Sequence, residues 1–188
     1  MRKFNHNLIE NGLKNLIVLG TCYEYGKVNG KVSEKFNCKP LIPYGLAKLK
    51  LLNSILDLKK KYNFKFAWLR PFFVYGYNSK RKSLYSIVKE LDKGKNINLQ
   101  VCGKLVRDFL SIDYLCKVIF KLIKLNKDIG ILNVCSGKKI SVKNFIKKIL
   151  ENKRKLVNIN MNGKNPNFFE PNYFWGDTKK LKKILSSN

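Results

Sequence analysis

Histidine is almost missing from this sequence: in 188 residues only His6 is present. A metal centre built from several imidazoles is thereby ruled out. The five cysteines (Cys22, Cys38, Cys102, Cys116 and Cys135) are odd in number, and no pair of them has Cys-x-x-Cys or zinc-ligand spacing. Neither a disulfide framework nor a zinc module fits that pattern. No apolar run is long enough to span a bilayer. Arginine is scarce too, at positions 2, 70, 81, 107 and 154 only. Glycine occurs 12 times, yet never as Gly-x-Gly-x-x-Gly or Gly-x-x-Gly-x-x-Gly. The backbone cradle that holds dinucleotide phosphates at a strand-to-helix turn is therefore absent from these residues.

What is present is the composition of a packed core. A hydrophobic fraction of 45% fits one globular domain, or a domain with a small lobe, and not a disordered chain. The net charge is +27, from 39 basic and 12 acidic residues. Nearly all the basic residues are Lys, spread along the chain and mixed with Asn and Ile, as an AT-rich codon usage produces. Lysines scattered over solvated helix faces do not make a nucleic-acid stripe. Their summed field still draws a phosphorylated small molecule. Unpaired thiols, with no leader-like run, give the expectation of a cytoplasmic protein.

Apolar spacing sets out the elements. Residues 3–13 read as the end of a helix stopped near Gly12, and 15–19 as a short buried parallel strand. A long loop over 22–42 follows, of a length that is usually functional. Pro43 suits a first helical turn, and Leu46, Leu49, Leu52, Ile55 and Leu56 continue that helix to about Lys61. Further strands are expected at 64–69, 97–101, 109–112, 131–134 and 156–160. Further helices are expected at 83–93, from Asp113 to about Leu125, from Ser141 to about Glu151, and from Asp177 through Leu185. A Pro- and Asn-rich loop spans 162–174. Strands alternating with helices predict a parallel α/β sheet, with a small α+β lobe beside it.

The chemistry is carried by Thr21, Tyr44 and Lys48. Tyr-x-x-x-Lys by itself means little here, because Tyr23/Lys27 and Tyr85/Lys89 match it too. Gly26 interrupts the first of these in a loop, and the last follows no strand-end hydroxyl. Tyr44 and Lys48 instead open a helix behind Pro43, after a strand ending in Gly20-Thr21. A phenol with a reference pKa near ~10 is too weak a base at neutral pH. An ammonium four residues on shares its helix face and favours the phenolate, as does a helix N-terminus. Such a tyrosine can exchange a proton with a substrate oxygen that a neighbouring hydroxyl also holds. Hydride would move at the adjacent carbon, which requires a nicotinamide cofactor. Read blandly, Tyr44 is a helix-start aromatic and Lys48 is solvated.

Three more segments stand out. Leu69-Arg70-Pro71-Phe72-Phe73-Val74-Tyr75-Gly76 ends a predicted parallel strand, where α/β ligands gather. Arg107 offers a planar fork suited to phosphate oxygens. Glu170 precedes a dense aromatic run, Tyr173-Phe174-Trp175, that packs a core or faces a nucleotide.

Taken in order, six blocks resemble the extended short-chain dehydrogenase/reductase family, the NAD-dependent epimerases and dehydratases of nucleotide sugars. They are Gly20-Thr21-Cys22-Tyr23-Glu24-Tyr25-Gly26, Pro43-Tyr44-Gly45-Leu46-Ala47-Lys48, Leu69-Arg70-Pro71, Arg107-Asp108-Phe109-Leu110, Asn133-Val134-Cys135-Ser136-Gly137 and Phe174-Trp175-Gly176-Asp177. The resemblance implies catalytic roles for Thr21, Tyr44 and Lys48. It implies an NAD or NADP cofactor held by Tyr44, Lys48, Arg70 and Pro71. It also implies a nucleotide-sugar substrate held by Thr21, Phe73, Arg107 and Glu170, with Arg107 on the pyrophosphate and Glu170 near the ribose. No metal is implied.

Departures from the family pattern narrow this. Sugar-nucleotide 4,6-dehydratases carry Asp-Glu directly after the threonine, whereas Cys22 and Tyr23 stand here. The resemblance therefore leans toward a branch that reduces 4-keto-6-deoxy sugars on a nucleotide carrier for surface polysaccharides, with epimerisation as the neighbouring activity. Phe73 replaces an asparagine common after the Arg-Pro-Phe step. The glycine-rich opening is missing, so the expected fold is the C-terminal part of a Rossmann-like parallel sheet with a small α+β substrate-binding lobe. Residues 1–77 would supply the second half of the Rossmann-like domain. Residues 78–188 would be mainly lobe, with about 105–135 returning to the sheet. A separate dinucleotide-binding half, and a second copy in a homodimer, are the expected protein partners. A catalytically inactive nucleotide-sugar-binding module is the alternative.

Overall fold

The structure, a computed structural model, describes residues 2–76, 97–98, 102–151, 159–160 and 169–187. Helix α1 (Arg2–Glu10) leads into β1 (Asn15–Leu19), a 3-10 turn (Cys22–Tyr25), β2 (Gly30–Val32), α2 (Pro43–Lys61), β3 (Lys65–Pro71) and β4 (Phe73–Tyr75). Then come β5 (Ile97–Asn98), β6 (Val106–Arg107), β7 (Phe109–Ser111), α3 (Ile112–Leu125), β8 (Gly130–Val134), β9 (Ile140–Ser141), α4 (Val142–Glu151), β10 (Ile159–Asn160), β11 (Phe174–Gly176) and α5 (Lys179–Ser186). The helix expected over 83–93 lies outside the described residues. So do most of the strands expected at 97–101 and 156–160 and much of the loop at 162–174.

The parallel α/β sheet predicted from sequence is present. β3 lies at its centre, with β1 and β8 parallel on either side. Both faces of β3 are covered, so its sequence reads as an apolar run and not as an alternation. Period-two geometry sends Phe66 and Trp68 to one face, against Ile9 of α1 and Leu52, Ile55 and Leu58 of α2. It sends Ala67 and Leu69 to the other, against Leu115, Val118 and Leu122 of α3 and Leu181 of α5.

Local signals mark several of the helix starts. Pro43 occupies the first turn of α2, where its missing N–H costs nothing. The Ser141 hydroxyl accepts from Asn144 N at 3.1 Å to start α4, and Asp177 accepts from Lys179 N at 2.7 Å ahead of α5. One cap differs from expectation. Ser111, not Asp113, caps α3, its hydroxyl accepting from Tyr114 N at 3.2 Å. The helix begins directly at the end of β7, which leaves Asp113 inside the first turn.

The stretch 22–42, expected as loop, contains structure: the 3-10 turn and β2. β2 is stabilised by a partner from the far end of the chain, pairing in parallel with β11 from Gly30↔Phe174 to Val32↔Gly176. Beside the main sheet, β4 runs parallel to β7 and β6 antiparallel to β9. Stacked Phe109 and Phe145 centre the small core there, with ring centroids 3.8 Å apart. Asp108, fully buried, fastens this region to the sheet. Its carboxylate accepts from Ser136 N (2.8 Å), Ser136 Oγ (2.6 Å), Gly137 N (2.9 Å) and Gly176 N (3.3 Å).

Candidate active site

β1 delivers Thr21 to the carboxyl end of the sheet. Gly20 N still bonds Leu69 O at 2.7 Å, so the strand stays in register up to that point. A side chain at Gly20 would meet Trp68 Nε1, and only glycine allows this approach. Thr21 then caps the 3-10 turn reciprocally. Its hydroxyl accepts from Tyr23 N at 3.3 Å, and the Glu24 carboxylate accepts from Thr21 N at 2.8 Å. As an acceptor, the Thr21 hydroxyl keeps its own hydrogen to donate.

Glu24 is fully buried and ties the turn to β3. It accepts from Trp68 Nε1 at 3.0 and 3.1 Å and from Arg70 Nε at 2.7 Å. Arg70 is itself 2% exposed, with its guanidinium 4.6 Å from the Tyr25 ring centre. Arg70 is turned inward as the counter-ion of Glu24. Pro71, half-buried, pairs with Val134 at the last rung of the β3–β8 ladder. Glu24 was not singled out from the sequence, although Thr21-x-x-Glu24 is the signature of a reciprocal cap.

α2 brings Tyr44 and Lys48 to the same end. The Lys48 ammonium donates to Leu19 O, the last carbonyl of β1, at 2.7 Å. It also lies 5.9 Å from the centre of the Tyr44 ring. Gly45 is buried, and a Cβ there would come within 2.6 Å of the Tyr23 carbonyl oxygen. The first turn of α2 thus sits directly on the turn that Thr21 caps. Tyr44 is 53% exposed, facing outward at this junction.

A second cluster involves the residues expected to hold substrate. Arg107, 2% exposed, holds Glu170 Oε2 through Nη2 at 2.9 Å. Its Nη1 donates to Val106 O at 2.9 Å and to Asn172 O at 3.4 Å. The guanidinium stands 5.2 Å from the Phe73 ring centre. Tyr23 joins the two clusters. Its hydroxyl donates to Glu170 Oε1 at 3.3 Å, and its ring meets Phe73 edge-on at 5.9 Å. Burial, and then the Glu170 charge, push the Tyr23 phenol up from its ordinary pKa, so it stays protonated. Phe73, Arg107 and Glu170 are therefore brought together, and Tyr23 ties them to the turn that Thr21 caps.

A model of the NAD dependent epimerase/dehydratase family matches residues 5–135. The match covers more than half of the chain, and the chain belongs to this family. It is 29% identical over 150 residues to dTDP-6-deoxy-L-talose 4-dehydrogenase (NAD(+)) of Aggregatibacter actinomycetemcomitans, covering 79% of this chain and 55% of that protein. It is 26% identical over 178 residues to the Bacillus subtilis (strain 168) protein named uncharacterized UDP-glucose epimerase YtcB, covering 94% of this chain and 56% of that one. The chain thus spans little more than half the length of these relatives. The fold matches UDP-glucuronic acid 4-epimerase from Bacillus cereus, solved with UDP-glucuronic acid and NAD, at a TM-score of 0.86 and 24% identity. That match covers 100% of this chain and 60% of that one. It also matches UDP-N-acetylglucosamine 4-epimerase from Methanobrevibacter ruminantium M1 at a TM-score of 0.86 and 20% identity, covering 99% and 61%. Among the described residues, no helix is long and apolar enough to cross a membrane.

Proposed function

We propose that this chain is the substrate-binding and proton-transferring part of an NAD(P)-dependent oxidoreductase of nucleotide-linked sugars. Its substrate is a 4-keto-6-deoxyhexose carried on a nucleotide, reduced at the keto carbon in the making of deoxysugars for surface polysaccharide. Epimerisation is the nearest variant of the same chemistry. The five cysteines are unbridged, which suits a reducing compartment such as the cytoplasm.

One arrangement carries this reading. Lys48 on Leu19 O and Gly45 on Tyr23 O hold the Tyr44 turn against Thr21. Tyr23 then links that junction to the Arg107–Glu170 pair. In the proposed roles, Thr21 donates to the sugar oxygen and Tyr44 gives that oxygen its proton. Lys48 keeps positive charge beside the phenol, and Arg107 holds the diphosphate. The residues present fit the nicotinamide end of the cofactor: Tyr44 and Lys48 would hold its ribose. When bound, the cofactor supplies the hydride. No glycine loop for its pyrophosphate exists in this sequence, and the chain spans about 55% of its relatives. In this reading a dinucleotide-binding half outside these residues supplies that loop. The second reading is a nucleotide-sugar-binding module without turnover.

The deciding experiment joins the chain to the glycine-loop half of a relative and follows nicotinamide oxidation with a nucleotide 4-keto-6-deoxy sugar. Turnover supports the oxidoreductase. Sugar-nucleotide binding with no turnover in the joined protein supports the binding module. Absence of both contradicts each reading.

A further inference from the structure

We infer that Tyr23 is the residue that reads the sugar, its neutral hydroxyl passing from Glu170 to an oxygen of the hexose once a diphosphate occupies Arg107. The inference rests on the nucleotide-sugar reading above and deepens it. It starts from position. The Tyr23 backbone lies against the first turn of α2, where a Cβ on Gly45 would approach its carbonyl to 2.6 Å. Its side chain ends at Glu170, the partner of Arg107. Tyr23 therefore spans the ground between the proton-transfer residues and the anion-binding residue. A nucleotide sugar must cover that same ground, because its anomeric phosphate and its keto carbon lie on opposite sides of one ring.

The hydrogen bonds say how the exchange works. Nη1 of Arg107 is held by two backbone carbonyls, Val106 O and Asn172 O. Nη2 alone is given to a side-chain carboxylate, that of Glu170. A phosphate oxygen can replace a carboxylate oxygen on a guanidinium with the same planar geometry. The phosphate charge then repels the carboxylate it has displaced, so Glu170 withdraws and Tyr23 loses its acceptor. The Tyr23 ring is fixed by its edge contact to Phe73, which is itself packed edge-on against Phe109 and Phe174. Only the hydroxyl has to turn. Tyr23 stays protonated next to Glu170, which makes it a donor and not a second base.

Calorimetric titration of the full chain tests this with two probe pairs, UDP against UDP-glucose and dTDP against dTDP-glucose. The wild-type chain is expected to bind the sugar nucleotide of at least one pair more tightly than its bare diphosphate, by about threefold to tenfold, the worth of one neutral hydrogen bond. Tyr23→Phe keeps the ring and its Phe73 contact. It is expected to remove that gain while leaving diphosphate affinity within about twofold. Deoxy analogues of the bound sugar nucleotide provide a second arm on the wild-type chain, independent of whether the variant folds: one of them is expected to lose the same gain. A gain that survives in Tyr23→Phe, or deoxy analogues that all bind like the parent, overturns the inference and leaves the nucleotide-sugar reading standing. Equal losses for diphosphate and sugar nucleotide also overturn it, because Tyr23 would then act only through Glu170 and Arg107. A wild-type chain that binds neither member of either pair overturns both.

Discussion

At Glu24 a full carboxylate has been removed from water and surrounded by donors from Thr21, Trp68 and Arg70. Breaking one side of a buried ion pair leaves the other charge uncompensated, which costs about 3–5 kcal/mol. Glu24→Gln is therefore expected to lower unfolding stability by about that amount in urea titration, by stranding Arg70. A variant as stable as the wild type would mean that the pair carries no such role. Asp177 makes a milder prediction. The N–H of Lys179, and then Lys31, hold its carboxyl below the usual range. A depressed carboxyl contributes stability that is present above its unfolded pKa and lost as pH falls through its folded one. Thermal unfolding of Asp177→Asn should match the wild type in strong acid and fall below it as pH rises past about 4, the reference value of a free aspartate. At this scale Thr21, Tyr44, Lys48 and Arg107 stand out in the sequence by residue type or place. The pairing of Arg70 does not, because nothing local shows that its partner is Glu24, 46 positions away.

Among the elements, α2 and β1 were readable because their signals are local: a proline at the first turn, an apolar stripe and a short apolar run. β2 was not, since its three residues hold a strand only through β11 at the far end of the chain. The contact between α2 and the 3-10 turn is an element-scale feature with its own test. Gly45→Ala favours the helix by about 1 kcal/mol in intrinsic propensity. It also forces the first turn away from Tyr23 O. Misplacement by about 1 Å costs up to about 100-fold in rate. The clash with backbone outweighs that gain, so the joined protein carrying Gly45→Ala is expected to unfold earlier than the wild type and to turn over much more slowly. Loss of stability with turnover preserved would contradict the geometry.

For the whole molecule, the sheet order β1-β3-β8 leaves the outer edge of β1 without a strand among the described residues. Beside it, Ile123 of α3 is 57% exposed, and a cleft of about 610 Å³ runs between Ile123 and Asn15–Ile17. An open parallel edge flanked by apolar surface is what an absent neighbour would cover. The dinucleotide-binding half proposed above would cover it. Ile123→Asp is expected to leave the isolated chain folded and to weaken association with a separately supplied glycine-loop half by about tenfold or more, as burial of an isoleucine implies. Unchanged association would place the partner elsewhere. The parallel α/β class was visible in the alternation of strands and helices, and an open edge followed from the missing glycine-rich opening; that β1 carries it needed the strand order.

The central claim is that Tyr44, with the Lys48 ammonium 5.9 Å from its ring centre, moves the proton that accompanies hydride transfer to a nucleotide-bound sugar. Turnover of Tyr44→Phe in the joined protein tests it most directly, with sugar-nucleotide affinity measured on the same sample. The account predicts a rate lower by about 10²- to 10⁴-fold at nearly unchanged affinity. A variant that turns over as fast as the wild type would contradict it.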